Sequence, residues 1–64
     1  MIGISINKNI LDGEPCITGT RISVELIKEC LHEGITIDAI CEDYNLIRAQ
    51  VNCAIDYLKK MNEI

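Results

Sequence analysis

Ile2, Ile4 and Ile6 alternate with Gly3, Ser5 and Asn7, the period of two that a half-buried strand requires. From Val24 onward the spacing becomes helical. Val24, Ile27, Cys30, Leu31 and Gly34 fall on one face of a first helix. Ile37, Ile40, Cys41 and Tyr44 recur at the intervals of a second, and Val51, Ala54, Ile55 and Leu58 form the stripe of a third. The boundaries carry their own signals. Ser23 and Thr36 are N-cap residues, with Glu25 and Asp38 in the first turns that follow, where the helix dipole favours a carboxylate. Gly34 suits the left-handed end of the first helix, and Lys59 and Lys60 suit the C-terminal turn of the third, which ends near Met61 or Asn62.

Ahead of the helices, Asn7-Lys8-Asn9 and Asp12-Gly13-Glu14-Pro15 are turn chemistry. Cys16 with Ile17 and Arg21 with Ile22 are short extended pieces around Thr18-Gly19-Thr20. The first strand is expected to pair with one of them. These elements predict a mostly α fold in one domain over residues 1–64. An extended β segment spans 1–22, and a three-helix bundle of increasing helix length spans 23–62. The second helix, the corner Asn45-Leu46-Ile47 and the third helix read as a helix-turn-helix, although that corner has no glycine.

Composition narrows the picture. The chain has 64 residues with no Trp, no Phe and two Tyr, so its core must be aliphatic and small. The formal charge of −4 argues against strong nonspecific attraction to phosphate backbones and suits a basic protein partner. No apolar run approaches the roughly 20 residues that span a bilayer, and no leader is visible at the N-terminus, so a cytoplasmic protein without membrane contact is expected. Cys16, Cys30, Cys41 and Cys53 form no C-x-x-C pair, and His32 has no ligand-spaced neighbour. Reduced thiols acting as small core hydrophobes are the preferred reading over a disulfide or a metal site, with Cys53 half exposed. Glu42 and Asp43 are adjacent on a helix and point apart, and no nucleophile–base arrangement is visible. The reading is therefore a non-enzyme without cofactor or metal.

Gly13, Pro15, Ile17, Gly19, Thr20, Arg21, Ile22 and Val24 form a glycine-x-proline followed by I-x-G-T-R-I-x-V. With Asn7 and Ile10 before it, and Leu31, Gly34, Ile40, Tyr44, Leu46, Val51, Ala54 and Tyr57 after it, this pattern resembles the family called domain of unknown function 433. Many of its members are regarded as predicted antitoxins of toxin–antitoxin pairs. The resemblance implies a homeodomain-like or winged-helix-like three-helix fold. It also implies a partner from the same operon, often a ribonuclease of the PIN-like class. The family usually has Thr or Ser after the leucine of the last corner, where this chain has Ile47.

Two groups of residues are candidates for function. On the third helix, Arg48, Gln50 and Asn52 are the residue types that reach base edges, and Lys59 is placed to meet phosphate. In the loop, Gly19, Thr20 and Arg21 serve a partner or shape the backbone. The favoured role of Arg21 is to tie the loop to backbone carbonyls through its five donors. The expected function is an antitoxin that binds and neutralises a cognate ribonuclease toxin, with repression of its own operon by binding operator DNA as a further role. The alternatives are a stand-alone DNA-binding transcriptional regulator and an interaction module without DNA contact. A homodimer involving the N-terminal extended segments is expected, because a two-stranded ribbon leaves open edges and the core is small.

Overall fold

A computed structural model describes residues 2–64. Two short strands, β1 (Ile4–Ser5) and β2 (Cys16–Ile17), precede three helices, α1 (Val24–His32), α2 (Ile37–Tyr44) and α3 (Arg48–Lys60). The fold is mostly α, as the periodicity predicts. β1 runs antiparallel to β2 with Ile4 opposite Ile17 and Ser5 opposite Cys16. Between the strands, Leu11, Asp12 and Gly13 all take positive φ, at 51, 54 and 87°. The helices do not lengthen steadily: α2, with 8 residues, is shorter than α1, with 9, and α3 has 13. The stop signals at Asn45 and Gly34 leave little room between Thr36 and the corner.

Ser23 Oγ accepts from the Leu26 amide at 3.0 Å and Thr36 Oγ1 from the Ala39 amide at 3.2 Å, so both predicted caps form. All three helices end by one device. Gly34, Asn45 and Asn62 take φ of 82, 56 and 58°. The next residue then donates back into the last turn: Ile35 to the Cys30 carbonyl (3.0 Å), Leu46 to Cys41 (2.9 Å) and Glu63 to Leu58 (2.9 Å). Asparagine is the side chain that best tolerates this conformation after glycine, which is why the corner between α2 and α3 needs none.

The core is aliphatic. Ile17, Val24, Ile27, Cys30, Ile40, Leu46, Val51, Ala54 and Leu58 are buried together, with Ile4, Ile22, Leu31, Ile35 and Tyr44 packed against them. Each element from β2 onward supplies at least one of these side chains. The Cys30 thiol beside the Tyr44 phenol, helped by desolvation, holds that phenol above its ordinary range. Lys28 Nζ lies 2.8 Å from Glu63 Oε1 and 3.6 Å from Glu25 Oε2, tying α1 to the C-terminal tail.

The third helix start is different. Ile47 occupies the N-cap position, is 59% exposed, and has no side-chain acceptor to offer. Only the reverse contact exists: Gln50 Oε1 accepts from the Ile47 amide at 2.9 Å. Ile47→Thr completes the pair and sacrifices little burial. It is expected to raise the unfolding free energy by about 1 kcal/mol, which calorimetry would register as a rise of about 4–8 °C in Tm.

The ammonium of Lys28 is held above the ordinary lysine range, chiefly by its hydrogen bond to Glu63. A raised folded-state value stabilises below the unfolded value and is lost as pH rises through the folded one. Lys28→Met should therefore lower Tm near neutral pH and flatten its decline on the alkaline side, as thermal melts across pH would register.

Candidate functional site

The loop after β2 is built from its own hydrogen bonds. The Ile17 amide donates to the Ile22 carbonyl at 3.0 Å and the Val24 amide to Pro15 at 2.9 Å, so residues 15–24 form a hairpin. The Thr20 amide closes the turn on the Ile17 carbonyl at 3.0 Å, with Gly19 at φ +83° in the third position, as a type II turn requires. Thr20 Oγ1 then donates to the Ile17 carbonyl at 2.8 Å and accepts from the Ile22 amide at 3.0 Å. Ser5 Oγ and Thr18 Oγ1 share a hydrogen bond of 2.6 Å, and the Thr18 amide donates to the Gly3 carbonyl at 2.9 Å, fastening the loop to the first strand. Gly19 and Thr20 thus shape the loop. Arg21 does not: it is exposed, and the bonds that hold the loop run through Thr18, Thr20 and the backbone. The threonine hydroxyl, already beside the carbonyl, leaves the guanidinium free to face solvent.

The outer side of α3 divides the other candidates. At about 100° per residue, Arg48, Asn52 and Lys59 share one row, and all three are exposed. Gln50 points away from that row, is half-buried, and has its side-chain oxygen committed to the Ile47 amide. Arg48 Nη1 is paired with Asp38 Oδ1 across the corner between α2 and α3. Asp56, exposed, sits beside the row one turn beyond Asn52. The structure therefore brings together three of the four residues proposed for DNA, sets Gln50 apart from them and places two carboxylates among them. The Asp38–Arg48 pair had no signal in the sequence, because residues in two different helices meet only through the corner's geometry.

A cavity of about 230 Å³ opens between β1 and α3, lined by Ile4, Cys53, Asp56, Tyr57 and Lys60. Sequence reading missed it, since it needs the docking of β1 on α3. Cys16 and Cys30 are buried, Cys41 and Cys53 half-buried, and all four thiols are free. Among the described residues no group of three or more His, Cys, Asp or Glu side chains is arranged to hold a metal ion. Nor, among those residues, is any helix long and apolar enough to cross a membrane.

Charge is segregated along the chain. Six of the ten carboxylates (Glu25, Glu29, Glu33, Asp38, Glu42 and Asp43) lie on or between α1 and α2, where Lys28 is the one Lys or Arg. All six are exposed. Lys59 and Lys60 stand apart at the far end of α3.

These features define a small, mostly α domain whose N-terminal hairpin is fastened by threonine hydroxyls to a three-helix core. Residues 4–58 match the family model described as Protein of unknown function (DUF433), and the chain belongs to that family. No curated protein and no solved structure gives a significant match.

Two substitutions in the loop separate shaping from display. Thr20→Val removes an acceptor from the Ile22 amide and should lower the unfolding free energy by about 1–3 kcal/mol. Arg21→Ala should stay within about 0.5 kcal/mol of the parent. Urea titration followed by circular dichroism measures both. An Arg21→Ala loss as large as that of Thr20→Val would return the arginine to the framework.

Proposed function

We propose that this chain acts in the cytoplasm as an antitoxin, binding and masking a ribonuclease toxin made from the same operon. The observation that carries this reading is the exposed carboxylate surface of α1 and α2. A ribonuclease must attract a polyanion, so its substrate-binding face is basic. An acidic helical face complements it, speeds encounter and occupies the cleft that RNA needs. The antitoxin role and the PIN-like class of partner are what the family resemblance implies; the charge pattern adds only that a partner on this surface would be basic. The protein performs no catalysis in this scheme. Its unit is a homodimer, in keeping with a small aliphatic core and a short ribbon whose strand β1 pairs on one side, with β2.

Operator binding through α3 is the second reading, and the exposed row of Arg48, Asn52 and Lys59 favours it. Its weakness is electrostatic. Arg48 is paired with Asp38, Gln50 caps its own helix, and Asp56 faces the same solvent. DNA affinity would need cations supplied by the partner.

Co-expression with the neighbouring reading frame tests the first reading. The expected result is a stable complex and relief of the growth arrest that the neighbour causes alone. The double substitution Glu29→Lys with Glu33→Lys should slow association at low salt by about tenfold, with less effect at high salt. No complex and no relief would end the antitoxin reading. Salt-dependent gel shifts on the upstream region address the second. Binding that disappears with Asn52→Ala and Lys59→Ala assigns the row to DNA, and no shift at any salt leaves the protein-interaction role alone.

A further inference from the structure

The cavity beside α3 is walled on one side by Ile4, whose sequence neighbours Ile2 and Ile6 are exposed. Ile2 and Ile6 lie two residues to either side of Ile4, outside the two-residue strand β1. Ile4 turns toward α3 and lines the cavity with Tyr57 and Cys53. Ile2 and Ile6 stay 47% and 66% exposed. At the rim of the same cavity, Asp56 and Lys60 are both exposed and one helical turn apart on α3. Among the described residues neither enters an ion pair.

We propose that this face is the contact between two copies of the chain, arranged about a twofold axis that passes between Asp56 and Lys60. This rests on the dimeric reading above and specifies its surface. A carboxylate and an ammonium side by side on one helix are self-complementary under a twofold rotation. With the two α3 helices antiparallel, Asp56 of each copy meets Lys60 of the other, so one patch provides both halves of two ion pairs. The net charge of the patch is then zero, which distinguishes it from the acidic α1–α2 surface. That surface would repel a second copy and is left free for a basic partner. The hollow lined by Ile4, Cys53 and Tyr57 is closed in the same contact, so one apolar hollow from each copy flanks the two ion pairs at the axis.

One consequence is exclusive. An α3 paired with its copy along this face cannot lie in a DNA major groove. Dimerisation by α3 and operator reading by α3 are alternatives for the same helix.

Sedimentation equilibrium of the intact chain at micromolar concentration tests the proposal. The wild type is expected to be a dimer. Asp56→Lys alone and Lys60→Asp alone should each raise the dissociation constant by about tenfold or more, since each removes two pairs and creates two like-charge contacts. The double variant D56K/K60D restores opposite charges at both positions and should recover wild-type association. Lys59→Asp, on the neighbouring row, should have less effect than Lys60→Asp. Thermal melts of every variant confirm that all remain folded. A monomeric wild type overturns this interface and the dimeric reading together. A dimer indifferent to both single reversals overturns the interface and leaves the dimeric reading standing, and single losses that the double variant fails to restore reject the reciprocal pairing. None of these outcomes bears on toxin binding.

Discussion

A core of this size without tryptophan or phenylalanine has to be closed by branched aliphatic side chains from nearly every element, and the rest of the structure follows from that constraint. Ile17 shows it most plainly. It belongs to a strand of two residues, yet it is fully buried among α1, α2 and α3 side chains. Burying an isoleucine of this kind stabilises by about 1.5–3 kcal/mol, a large share of the margin available to a small domain. The hairpin is therefore a wall of the core. Its turn must hold a fixed shape so that Ile17 and Ile22 point inward together, and Thr20 and Gly19 supply that shape.

The same economy governs the surface. With the apolar side chains concentrated inside, charge is distributed unevenly over what remains. The helices α1 and α2 carry six exposed carboxylates against one lysine, whereas the far end of α3 carries a mixed pair beside an apolar hollow. Surfaces of such different chemistry suit different partners. An acidic sheet of side chains favours a basic macromolecule, whereas a neutral, self-complementary patch favours a copy of itself. On the two proposals above, a chain of 64 residues would hold both contacts without their competing.

Much of the fold was legible in the residues. Ser23 and Thr36 announced two helix starts, and the apolar stripes of Val24, Ile40 and Val51 identified the core face of each helix, because caps and periodicity are local properties. The pairing of β1 with one of the extended pieces was foreseen as well. What the residues did not disclose is non-local or depends on competition. Asn45 does the work usually given to glycine, so an absent glycine was a poor guide to the corner. Arg21 looked like the natural tie for its loop, but the shorter Thr20 side chain reaches the same carbonyl at lower entropic cost. Gln50 is a base-reading residue type, yet its side-chain oxygen is spent on its own helix terminus. Asp38 and Arg48 belong to different helices, and their meeting depends on how the corner turns.

The uncapped start of α3 has a dynamic meaning. In α1 and α2 the third amide of the helix is held by a hydroxyl, from Ser23 or Thr36. In α3 the corresponding Gln50 amide reaches only the Ile47 carbonyl, at 3.0 Å, in the tighter geometry of a fraying turn. Opening there breaks few bonds and exposes little apolar surface, so amide exchange should be fastest of the three helix starts at this turn. The softest of the three helix starts is thus the one that carries Arg48, and a partner that settles on it must first bear the entropy of making it rigid.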